Sequence, residues 1–82
     1  MNADVFVMAD RIKKMRTDYR AMAVSIDNLS TVITKYKEGT VGREDVVKAI
    51  DDCRLHQSGV EKDLPQMVGT FYRLERALYA EN

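Results

Sequence analysis

Cys53 and His56, with Asp52 beside them, are the residues of this sequence whose types and spacing come nearest to chemistry. On a helix, spacings of three and four bring side chains to one surface, so thiol, imidazole and carboxylate suggest a metal half-site completed by a second chain. The same thiol and imidazole would act as nucleophile and base only in an electropositive, accessible setting. Cys53 falls instead on an apolar stripe, where cysteine behaves as a small buried hydrophobe. No metal ligand and no cofactor is assigned on this basis, and a metal or thiol site stands as a remote alternative. Asp51 and Asp52 are adjacent and point to different parts of a helix surface, so they do not form an opposed acid–base pair. The glycines are scattered and none belongs to a strand-loop-helix phosphate cradle. An enzyme is not expected.

The second constellation is cationic. Arg11, Lys13, Lys14, Arg16 and Arg20 crowd together, answered locally only by Asp10 and Asp18. Phosphates attract such side chains whatever the base sequence, which makes Lys13, Lys14, Arg16 and Arg20 candidate nucleic-acid ligands. Yet the positions spread around a helix, and Tyr19 is the sole aromatic residue interleaved for stacking. Moreover, 13 Lys+Arg balance 13 Asp+Glu over the chain. A solvated helical face is the simpler account, and a small dimeric nucleic-acid-binding protein is the alternative function.

These residues must be positioned by helices, because two heptad series account for nearly every large apolar side chain. The first runs through Val5, Met8, Ile12, Met15, Tyr19, Met22, Ile26, Leu29, Ile33 and Tyr36. The second runs through Val46, Ile50, Cys53, Gln57, Val60, Leu64, Met67, Phe71, Leu74 and Leu78. Between them lies Gly39-Thr40-Val41-Gly42. Asn2 suits an N-cap with Asp4 in the first turn, and Gly39 suits the left-handed residue that ends a helix. Glu44 and Asp45 supply first-turn acids to the next helix, with Gly42 as its N-cap. The 82 residues therefore read as a single all-α domain, with helices over 3–38 and 43–80 and a turn at 39–42. Ser58, Gly59 and Pro65 mark a kink or break over 58–65, but the heptad phase passes through them unshifted. The expected fold is an antiparallel hairpin of two long helices, the second kinked near Pro65, assembling into a helical bundle. A compact three-helix bundle is the alternative.

The short turn sets the register by making Ile33 meet Val46, and the layers that follow include Tyr19 with Val60, Met15 with Leu64 and Met8 with Phe71. Gln57 is then the one polar member of the second seam, within reach of the Tyr19 hydroxyl. One flank of such a hairpin gathers Phe6, Val68, Tyr72 and Tyr79 with Arg76, the aromatic and arginine composition of binding hot spots. The opposite flank carries Asp4, Arg11, Asp18, Ser25, His56, Asp63 and Thr70.

A two-helix rod buries each seam residue only partly, while ordering its backbone costs about 1 to 2 kcal/mol per residue. The expectation is therefore a homo-oligomer, with a dimer favoured, or a hairpin docked on another protein. The expected function is a protein-interaction module: a small helical adaptor, inhibitor, assembly factor or co-chaperone. One cysteine, no basic-then-apolar leader and no run of membrane-spanning length make a cytoplasmic setting the expectation, with no membrane partner.

Overall fold

A computed structural model describes residues 3–80. The chain forms α1 (Ala3–Lys37) and α2 (Arg43–Tyr79), which fold back on one another as an antiparallel hairpin. The rod measures 62 × 17 × 15 Å. Among the described residues, no helix is long and apolar enough to cross a membrane. The expected N-cap Asn2 lies outside the described residues.

The reversal has local causes. Gly39 adopts a φ of 77°, the left-handed region open to a residue without a Cβ. That geometry lets the Thr40 N–H donate to the Lys35 carbonyl at 3.0 Å and the Gly39 N–H to the Tyr36 carbonyl at 3.1 Å, the paired bonds of a Schellman motif. The Thr40 hydroxyl donates to the same Lys35 oxygen at 3.1 Å. Free carbonyls at the end of α1 are thereby satisfied, beside Lys35 and Lys37, whose charges suit the negative end of the helix dipole. On the far side, the Asp45 carboxylate accepts the Gly42 N–H at 3.0 Å and fixes the start of α2. Pro65 sits inside α2, exposed, and the helix runs through it to Tyr79 unbroken, so the described residues form two helices and not three.

Levels along the hairpin follow from the turn. The Asp63 carboxylate lies 3.3 Å from Lys14, which also holds Asp18 at 2.8 Å, so Asp63 stands level with the intervening turn of α1. This is the level reached by counting away from Ile33 opposite Val46.

The rotation of α2 about its own axis differs from expectation. Its seam runs through Val46, Ala49, Cys53, His56, Val60, Asp63, Met67, Thr70, Leu74 and Ala77, all buried or half-buried. Leu64, Phe71 and Leu78, expected in the seam, are 54%, 51% and 52% exposed, and Gln57 is exposed as well. On α1, Met8 and Met15 are buried as expected, but nearer the turn Ser25 is buried and Val32 half-buried while Ile26, Ile33 and Tyr36 face solvent. The physical reason is size. Ala49, Cys53, Asp63, Thr70 and Ala77 are small enough for two backbones to approach closely, which a row of Leu and Phe would hold apart.

Close approach leaves polar groups inside. The Ser25 hydroxyl donates to the Ala21 carbonyl at 2.8 Å, but the Thr70 and Tyr19 hydroxyls are buried without a hydrogen-bond partner among the described residues. Gln57 does not reach Tyr19; its amide donates to Glu61 at 2.8 Å. Thr70→Val keeps the shape and removes the unpaired hydroxyl, so it should raise unfolding free energy by about 1 kcal/mol. Met8 is fully buried, and Met8→Ala should lower it by about 2 to 5 kcal/mol. Urea unfolding followed by circular dichroism measures both.

Candidate functional site

The two long sides of the hairpin differ in chemistry: one holds the ion pairs between the helices, and the other sets the exposed apolar bulk of α2 beside Phe6 and a group of cations on α1. One side is ionic. Arg73 reaches Asp4 at 3.6 Å near the open end, and Lys14 bridges Asp18 and Asp63 in the middle, where Gly59 lies against the Asp18 carboxyl. The other side begins one residue further round α2, since a step of one turns a side chain by about 100°. There Leu64, Phe71 and Leu78 stand exposed, flanked by Val68 at 78% and Val47 at 50%. From α1, Phe6 at 58% joins them toward the open end, with Ile26 and Ile33 toward the turn. Ile26, Leu29 and Ile33 line a shallow groove there, and Val47 lines another with Arg43, Glu44, Lys48 and Asp51.

Each expected partner-binding residue is on the surface, though not on one flank. Phe6 and Val68 lie on the apolar side. Tyr72 and Tyr79, 58% and 72% exposed, fall on the outward face of α2 because of its rotation. Arg76 donates from Nη1 to the Tyr72 hydroxyl at 3.1 Å, its guanidinium 5.6 Å from the ring centroid, and the pair rims a depression with Asp4 and Arg73. The apolar patch owes most of its area to Leu64, Phe71 and Leu78, residues that hydropathy alone assigns to the seam.

Among the expected nucleic-acid ligands, Lys13, Arg16 and Arg20 surround one shallow depression with Thr17. Lys14 turns away from them to its two carboxylates. Cys53 is buried and His56 half-buried, and the described residues contain no group of three or more His, Cys, Asp or Glu arranged to hold a metal.

Asp63, which the heptad count places on a flank of the hairpin, is 5% exposed. Its Oδ2 has no partner as an ionised acceptor. The neighbouring Asp18 carboxylate, to which a protonated Asp63 can donate, pushes the Asp63 pKa up, and burial adds to this against the pull of Lys14. Asp18 is held below its ordinary value, first by its hydrogen bond from Lys14 and then by Asp63. Lys14 is raised by Asp18 and then Asp63.

Comparison with protein families, with characterised proteins and with solved structures finds no match to this chain.

The linkage between this cluster and stability has a definite sign. A carboxyl raised on folding stabilises the hairpin in its protonated form; that contribution is complete below the ordinary carboxylate range and is lost as pH climbs through the raised value. The depressed Asp18 acts oppositely, its contribution present above the ordinary value and lost as pH falls through the depressed one. Asp63→Asn keeps a donor toward Asp18 at every pH. The melting temperature of the variant minus that of the wild type should therefore grow as pH rises from about 4 to about 7. A difference independent of pH would remove the Asp63 proton from this account.

Proposed function

We propose that this chain is a non-enzymatic protein-interaction module that receives helices through its apolar flank, as a small adaptor, inhibitor, assembly factor or co-chaperone does. The observation that carries the reading is the rotation of α2. Small and polar residues close the hairpin, and Leu64, Val68, Phe71 and Leu78 are left facing water on one side together with Phe6. An exposed apolar row of this kind marks an interaction surface, and its run along α2 fits a helix or helical pair laid lengthwise. Tyr72, Arg76 and Tyr79 extend the surface around the back of α2 near the open end, supplying an aromatic and arginine rim. The proposed setting is the cytoplasm, where Cys53 stays reduced.

A photo-cross-linking amino acid placed at Phe71 in the full chain should give protein adducts in cells. The same group at Leu55, 71% exposed on the far side of α2, should give none. Equal labelling at both positions would defeat the reading.

The depression formed by Lys13, Arg16 and Arg20 favours a second reading, a basic surface for nucleic-acid phosphates. It requires a salt-sensitive gel shift of DNA or RNA that Lys13→Glu/Arg16→Glu abolishes. No shift by the wild type at low salt would dispose of it.

A further inference from the structure

We propose that the occupant of the Leu64–Phe71 flank is a second copy of this chain, laid alongside the first with both turns at the same end. In that arrangement α1 of each hairpin packs on α2 of the other and the whole forms a four-helix bundle. The inference rests on the reading of this flank as a docking surface and names what docks there.

Charge along the flank supports it. Arg20 and Asp27 project from the outer edge of α1 on this side, and Glu61 and Arg54 from the corresponding edge of α2. Counting from Asp63, whose level its bonds to the Lys14–Asp18 turn establish, Glu61 stands close to the level of Arg20 and Arg54 close to that of Asp27. A two-fold axis parallel to the rod leaves levels unchanged and sets α1 against the partner's α2. Arg20 then meets Glu61 of the second copy and Asp27 meets its Arg54, each pair occurring twice. Within one hairpin Arg20 and Asp27 have no ion pair among the described residues, and Arg54 has only a 3.8 Å approach to exposed Asp51.

Shape agrees with charge. The same alignment puts small Ala9 at the level of Phe71 and small Ser30 at the level of Ile50, so these large side chains of α2 enter gaps left by α1, while Arg16 stands level with Leu64 and can lay its aliphatic stem along it. The reversed arrangement, with a two-fold across the middle of the rod, would set Arg20 against Arg20 of the second copy. Like charges so placed oppose association. One side of a rod 62 Å long and 15 Å wide offers on the order of 900 Å². Stable interfaces bury about 800 Å² per partner.

The test is sedimentation equilibrium of the full chain over a dilution series, for the wild type, Arg20→Glu, Glu61→Arg and the double swap. A wild-type dimer is expected, with each single swap raising Kd more than about tenfold and the double swap restoring it, helix content being equal in all. Spin labels at Glu38→Cys in a Cys53→Ala background should lie within about 30 Å of each other in the dimer, since neighbouring helix axes are about 8 to 10 Å apart. A monomer at every concentration would overturn the second copy as occupant, while adducts to a different protein at Phe71 would still uphold the docking flank. A dimer indifferent to both single swaps would overturn this face, and labels separated by about the 62 Å rod length would overturn the turn-to-turn order.

Discussion

Two helices about 35 residues long lie together only if their backbones can approach along the whole length, and the small residues of α2 meet that requirement. Ala49, Asp63, Thr70 and Ala77, with half-buried His56, fall on one heptad series, and Val46, Cys53, Val60, Met67 and Leu74 fall on the other. Opposite, Met8 and Met15 supply the adaptable bulk that fills an irregular space. The energetic consequence is mixed. Dispersion contacts improve as the helices close, but an unpaired Thr70 hydroxyl and a carboxyl beside another carboxyl become enclosed. Such a seam is closed by fit more than by apolar area. The apolar area it does not use is displayed on the side.

This division of labour gives the molecule its sidedness. Charge that faces inward on the ionic flank is answered within the chain, by Lys14 for Asp18 and Asp63 and by Arg73 for Asp4. Charge on the apolar flank is not answered there in the same way: Arg20 and Asp27 stand without an ion pair among the described residues. Internally satisfied chemistry on one side and unsatisfied chemistry on the other is the physical content of the interaction reading.

Much of this was legible in the sequence. Gly39 and Asp45 state where one helix ends and the next begins, and the turn between them dictates which levels face. Unshifted heptad phase across Pro65 correctly argued for a continuous second helix. What hydropathy could not supply was the rotation of α2. Val46, Cys53, Val60, Met67 and Leu74 belong to the seam in either orientation, so the choice falls to the alternate series: Ile50, Leu64, Phe71 and Leu78, or Ala49, Asp63, Thr70 and Ala77. Ranked by hydrophobicity the first series wins; ranked by the space between two close helices the second does. The same misranking hid the main part of the candidate surface, because Leu64 and Phe71 were spent on the seam, whereas Phe6 and Val68 were found because neither orientation buries them.

The tight reversal at Gly39 also orders events in time. Residues beside the turn, such as Val32 and Val46, are separated by a short stretch of chain, whereas Asp4 and Arg73 at the open end are separated by nearly all of it. The entropy of closing a loop rises with the logarithm of its length, so pairing begins most easily at the turn and each layer formed shortens the loop facing the next. A hairpin built in this way closes like a zip and opens from its free end. Met8 and Thr70, fully enclosed in the finished rod, are therefore among the last to be covered and the first to meet water again.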